Sequence, residues 1–107
     1  MSKMAAETGK FSMYGKITTH PGKRDEMAAI LLEAAEAMKD LAGCELYIVN
    51  VSDDEPDAVW VTELWSSAEA HAASLQMEGT AEMIGRARPL IAKIEPTRLR
   101  PIGGKGL

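Results

Sequence analysis

Apolar residues recur along this chain with two different periods, and the switches between them mark its elements. From Phe11 to His20 they alternate loosely, Phe11, Met13, Gly15 and Ile17 against Ser12, Tyr14, Lys16 and Thr18, as in a half-buried strand. His20-Pro21-Gly22 ends that run, because proline cannot continue a ladder and glycine supports a tight turn. From Lys23 the period becomes helical. Met27, Ile30, Leu31, Ala34, Met38 and Leu41 form one stripe, and Asp25, Glu26, Glu33, Glu36 and Lys39 lie mostly off it. Asp25 and Glu26 fall in the first turn, where the macrodipole favours negative charge. Gly43 is placed to stop this helix in a left-handed conformation.

Two extended runs come next, 45–52 and 58–65, rich in Val, Ile, Tyr and Trp, with the acidic segment Asp53-Asp54-Glu55-Pro56-Asp57 between them as a hairpin loop. Both runs are apolar on both faces: Tyr47, Val49 and Val51 oppose Leu46 and Ile48, and Val59, Val61 and Trp65 oppose Trp60 and Leu64. A sheet with one wet face alternates apolar and polar residues, so this pattern predicts cover on both sides. Helices supply one cover and a second subunit the other. Ser66 reads as a helix N-cap, with Glu69 completing a capping box. The helix it opens runs from Ser67 to about Glu78, where Gly79-Thr80 interrupts it. A second helical set carries Met83, Ile84, Ala87, Leu90 and Ile91, and Pro89 marks its end or a kink. Residues 91–99 form the last strand, which Pro96 assigns to an edge or a bulge.

The order strand–helix–strand–strand–helix–strand predicts an α+β protein of ferredoxin-like βαββαβ topology, an antiparallel sheet with helices on one face. Two such sheets packed face to face account for the doubly apolar strands and predict a homodimer. Residues 1–10 then read as a flexible N-terminal tail, 11–100 as the domain, and 101–107 as a glycine-rich C-terminal tail.

Bulk properties narrow the function classes. A chain of 107 residues supports one modest core. Its net charge of -4 argues against a nucleic-acid binder, which usually presents a basic face. No run approaches the ~20 apolar residues that span a bilayer, and Met1 to Lys10 lacks the apolar middle of a signal peptide. The single cysteine, Cys44, rules out an intramolecular disulfide and suits a reducing cytoplasm. With two separated histidines it offers no dedicated zinc set. Phosphate-cradling loops, dinucleotide fingerprints and nucleophile elbows are absent from the sequence.

Candidate chemistry gathers at Tyr47, Asn50, Glu63, Trp65, His71, Arg86 and Arg88. Glu63 shares a strand face with Val61 and Trp65. Apolar surroundings raise a carboxylate pKa and would poise it as a base or acid, whereas a structural carboxylate satisfied by backbone or by a partner-chain arginine is the competing reading. His71, near the start of the second long helix, is the best proton acceptor of the chain, with an ordinary pKa of ~6.5. A half-buried structural histidine is its alternative, and His20, beside a turn, reads as solvent-exposed. Trp65 and Tyr47 offer flat walls for an aromatic ligand or fill a core or interface, the second being the preferred reading of Trp60. Arg86 and Arg88 can polarise a ligand carbonyl or phenolate, or form a solvated face. Met27, Met38, Met77 and Met83 suit an adaptable pocket, although their spacing is first that of a core.

Thr19-His20-Pro21-Gly22, Gly43-Cys44-Glu45-Leu46-Tyr47 and Val61-Thr62-Glu63-Leu64-Trp65-Ser66-Ser67-Ala68-Glu69-Ala70-His71, in that order and spacing, resemble the antibiotic biosynthesis monooxygenase family. The likeness includes its quinol monooxygenase-like members and covers roughly Met13 to Pro96. It implies a dimeric α+β barrel that oxidises polyphenols or quinols with O₂ and without metal, flavin or other cofactor. By that likeness the pocket lies between sheet and helices, with Trp65, Tyr47, Asn50 and Arg86 as substrate-binding residues. His71 is then the first choice for acid–base work, Glu63 the second, and Arg86 the anion stabiliser. Many quinol-oxidising relatives carry a second histidine three positions after the first, where this chain has Ser74. The haem-degrading branch has a tryptophan near that point and a haem-ligating histidine on the next helical segment. Thr80 to Leu90 contains no histidine, so haem degradation is not implied. A non-catalytic dimeric binding protein of this fold is the alternative function, and an isomerase or cyclase of a related polyketide a third.

Overall fold

The computed structural model describes residues 8–107, so the first seven residues of the expected N-terminal tail lie outside the described part. The elements are β1 (Phe11–Thr19), α1 (Arg24–Ala37), β2 (Cys44–Ser52), β3 (Glu55–Trp65), α2 (Ala68–Ser74), α3 (Thr80–Ala87), a 3₁₀ turn (Arg88–Leu90) and β4 (Ile91–Leu99). All strands pair antiparallel in the order β2-β3-β1-β4, the ferredoxin-like α+β arrangement. Its second helical segment is split in two. Gly79, at φ 92, turns the chain between α2 and α3 in a conformation that favours glycine. Pro89 sits in the 3₁₀ turn that closes α3, and Pro96 on the edge strand β4, where a missing N–H costs no ladder bond.

The helices cover one face of the sheet. Met27, Ile30 and Leu31 from α1 pack on Ile17, Val59 and Val61, and Leu90 closes the layer. Met27 and Val59 are fully buried. This is the stripe that the helical period marks, except at its end. Helix α1 stops at Ala37, and Gly43 has no positive φ, so Gly43 is not its left-handed cap. The Met38 N–H bonds back to Ala34, and successive tight turns through Leu41 then carry the chain into β2. Leu41 therefore lies beyond the helix.

Gly43 is required for a different reason. A Cβ there would meet the Ala70 Cβ at 2.8 Å, so a side chain at 43 would drive α2 off the sheet. The N-cap of α2 is also one residue later than the pattern predicts. The Ser67 hydroxyl, not that of Ser66, accepts the Ala70 N–H at 3.0 Å, and the third helical position is Ala70, so Glu69 completes no capping box. Strand β3 begins at Glu55, which leaves Asp53 and Asp54 as a two-residue turn instead of a five-residue loop. Pro56 lies where the register shifts between the Val51–Val59 and Ser52–Glu55 pairs, an irregularity that tolerates proline.

The opposite face carries no helix. Leu46 and Ile48 of β2, Tyr14 of β1 and Leu99 of β4 are 44–47% exposed on it, around Leu64 and the half-buried Trp60. The Lys16 ammonium lies 5.3 Å from the Trp60 ring centre, so part of that indole is shielded by a cation within the chain.

Candidate active site between sheet and helices

The C-terminal end of β3 alternates Val61, Glu63 and Trp65 onto the helix-bearing face, and β2 sets Tyr47 opposite Glu63. The pair belongs to the unbroken register from Val51–Val59 to Leu46–Leu64, which shifts only beyond it, between Leu46 and Cys44. Capped at Ser67 and seated on Gly43, α2 brings His71 and Ser74 to the same place, while α1 brings Glu33, the turn after it Met38, and α3 Met83 and Arg86. Together they enclose a cavity of about 300 Å³, at the small end of the range that holds organic ligands.

Glu63, Trp65 and His71 form one cluster in its wall. The Trp65 indole N–H donates to Glu63 Oε1 at 3.0 Å, and His71 Nε2 lies 3.9 Å from that oxygen. The Glu63 and His71 side chains are only 16% and 13% exposed, so water screens an interaction between them weakly. The imidazole is fixed by two rings, Phe11 at 4.9 Å and the edge of Trp65 at 5.3 Å. Trp65, almost wholly buried, is thus wall, ring partner and hydrogen-bond donor at once. Burial, then the Glu63 carboxylate and Cys44, push the Tyr47 hydroxyl far above its usual value, so it stays neutral. It can donate or accept a hydrogen bond but does not act as a phenolate.

Ser74 is buried, and its hydroxyl donates to the His71 carbonyl at 2.6 Å, which occupies its proton in holding α2. Arg86 reaches the cavity mouth already engaged. It donates to both Glu33 oxygens, at 2.8 and 3.3 Å, and its Nε lies 3.5 Å from Glu82. The guanidinium holds the Glu33 carboxyl below its usual range. Burial, then the nearby Glu63, raise the Cys44 thiol above its usual range, which disfavours its thiolate.

Of the residues singled out in the sequence, Tyr47, Glu63, Trp65, His71 and Arg86 line one cavity. Asn50 does not. It points from the other face of the sheet, across from Trp60, with its amide donating to the Ile48 and Trp60 carbonyls. Its position in β2 differs from that of Tyr47 by an odd number of residues, and strand alternation alone separates the two. Arg88 and His20 are exposed and lie outside the cavity, while Met38, Met77 and Met83 line it and Met27 belongs to the core. Phe11 and Glu33 were missed. Phe11 reads only as the first apolar residue of a strand, and Glu33 only as a solvated position off the helix stripe.

The family model for antibiotic biosynthesis monooxygenase matches residues 11–86, which span every cavity residue. This chain belongs to the antibiotic biosynthesis monooxygenase family. Membership places it generally among monooxygenase-like proteins. A candidate antibiotic biosynthesis monooxygenase of Chloroflexus aurantiacus is 41% identical over 91% of this chain and 97% of its own, with a TM-score of 0.81. Two more distant structures share the fold alone. SnoaB of Streptomyces nogalater, a cofactor-independent oxygenase, is 14% identical over 92% of this chain and 99% of its own, TM-score 0.80. A candidate family member from Deinococcus radiodurans is 20% identical over 91% and 95%, TM-score 0.76. No curated protein matches the chain.

Proposed function

We propose that this protein is a cofactor-independent monooxygenase that oxidises a small quinol-like or polyketide-like aromatic substrate with O₂. The observation that carries this reading is the convergence of Tyr47, Glu63, Trp65 and His71 on one largely apolar cavity. His71, with Glu63 beside it, takes a proton from a substrate phenol. The phenolate gives one electron to O₂, the resulting radical pair combines to a peroxide anion at a ring carbon, and the protonated His71 returns its proton to make the hydroperoxide. Loss of water from that hydroperoxide, with the C–H proton leaving, gives a carbonyl. One O₂ is consumed, one oxygen atom stays in the product and the other leaves as water. Trp65 and Tyr47 flank the ring and exclude water, and Tyr47 supplies a neutral hydrogen bond.

Anaerobic mixing with menadiol-like and dihydroanthracene-like substrates, followed by O₂, tests the reading. O₂ uptake well above the protein-free rate is expected, with His71→Ala lowering kcat by ~100-fold or more. Uptake no faster than without protein sinks it. One observation favours a second reading, a non-catalytic binding protein of the same fold: Ser74, bonded to the His71 carbonyl, adds no second proton acceptor. In that case the same aromatics bind but consume no O₂.

The assembly belongs to the proposal as well. A contiguous apolar face formed by Tyr14, Leu46, Ile48, Trp60, Leu64 and Leu99 supports a homodimer closed by two sheets. The free Cys44 supports a reducing compartment, the cytoplasm. No helix among the described residues is long and apolar enough to cross a membrane.

A further inference from the structure

Resting on the reading of this cavity as the substrate site, we infer that it selects uncharged aromatics over carboxylate-bearing ones, with Glu33 as a specificity-determining residue. The charges around the cavity are lopsided. Glu33, Glu63, Glu78 and Glu82 line it, against Arg86 as the only arginine or lysine among the described residues there. That cation is not open to a ligand anion. Both terminal nitrogens of Arg86 face Glu33, and its Nε faces Glu82. A ligand carboxylate at the mouth would have to displace an intact bidentate pair, the geometry in which carboxylates hold guanidinium most firmly.

Deeper in, an anion would meet Glu63. Among the described residues Glu63 has no arginine or lysine partner, only the Trp65 N–H and His71 at 3.9 Å. Any charge that His71 acquires is shared with Glu63 before it reaches a ligand. The two layers differ in strength. The Arg86 and Glu33 side chains are 41% and 59% exposed, so solvent screens the mouth, whereas Glu63 at 16% is screened least. A neutral ring with hydroxyl donors fits both layers, because carboxylate oxygens accept from hydroxyls and repel carboxylates. Glu33 therefore does more than fix α1 to α3. By neutralising Arg86 it withholds the one contact that would make the cavity an acid-binding site.

Naphthamide and naphthoate share a shape and differ in charge, so their dissociation constants, measured by Trp65 fluorescence and calorimetry, test the inference. The wild-type protein is expected to bind the amide about tenfold or more tightly than the carboxylate. Glu33→Gln frees Arg86 and is expected to tighten naphthoate by about three- to fivefold with the amide unchanged. Glu63→Gln narrows the gap further, and Glu82→Gln acts in the same direction as Glu33→Gln. Naphthoate binding as tightly as naphthamide, or weakened by Glu33→Gln, overturns the inference. Failure of both probes to bind at millimolar concentration overturns it together with the substrate-site reading. Discrimination without O₂ consumption leaves it standing and removes only the oxygenase.

Discussion

The indole N–H of Trp65 donates to Oε1 of Glu63 at 3.0 Å, and that oxygen is the one facing His71 Nε2 at 3.9 Å. The two residues alternate onto the same face of β3, so the strand itself holds donor and acceptor together. A carboxylate free to rotate would turn toward the cavity opening. Held by the indole, it keeps one oxygen 3.9 Å from the imidazole, the geometry in which the proposed function has His71 meet a substrate proton.

Trp65→Phe separates this role from that of a wall, since it keeps a ring and removes the N–H. Without that donor the Glu63 carboxylate is no longer held with one oxygen toward His71. Under the proposed function kcat should fall by about tenfold with KM little changed. A variant that raises KM while kcat stays in place shows Trp65 to be a wall only.

Gly43 shows what the residue pattern conveys and what it cannot. A glycine at the end of a helical stripe reads as a left-handed cap, and a lone sequence cannot separate that from glycine forced by a neighbour distant along the chain. The neighbour is Ala70, one residue before His71, with a hypothetical Cβ contact of 2.8 Å. Gly43→Ala should therefore cost about 1–3 kcal/mol by overpacking, measured by urea denaturation. It should also lower activity by shifting α2, which a change at a mere helix cap would not do. Wild-type stability in Gly43→Ala would show that α2 moves freely.

The same limit explains the rest of the site. Tyr47, Glu63 and Trp65 were legible because strand alternation places them on one face. Asn50 was misplaced because a choice by residue type ignores that alternation. Glu33 escaped notice because its meeting with Arg86 joins positions 53 residues apart, through the packing of α1 on α3. Periodicity carries no information about such a meeting. The hairpin and the capped α2 were read to within a few residues, since short-range chemistry fixes both.

Tyr47 makes alkaline stability informative. Its folded pKa is raised, chiefly by burial and then by Glu63 and Cys44. Below the unfolded value of about 10 both states keep the proton and its contribution is fully present. As pH rises beyond that, the unfolded chain releases the proton first and stability falls until the folded value is reached. Tyr47→Phe cannot titrate. Its Tm should decline less steeply than that of wild type between about pH 9 and 11, and equal slopes would place the Tyr47 hydroxyl in contact with water.

The bare sheet face yields the last prediction. Leu46 and Ile48 stand 46% and 44% exposed on the edge strand β2, in a patch that runs across all four strands through Trp60 and Leu64 to Tyr14 and Leu99. In a two-fold interface every substitution appears twice on one self-complementary surface. Ile48→Glu should give a folded monomer, and the wild-type chain should sediment at twice its 11.5 kDa. Loss of association through unfolding is distinguished by mixing, because Ile48→Glu and Ile48→Lys chains placed together should pair across the interface and restore the dimer mass. A wild-type chain that sediments as a folded monomer at micromolar concentration rules out the two-sheet barrel, and the apolar face then needs a different partner.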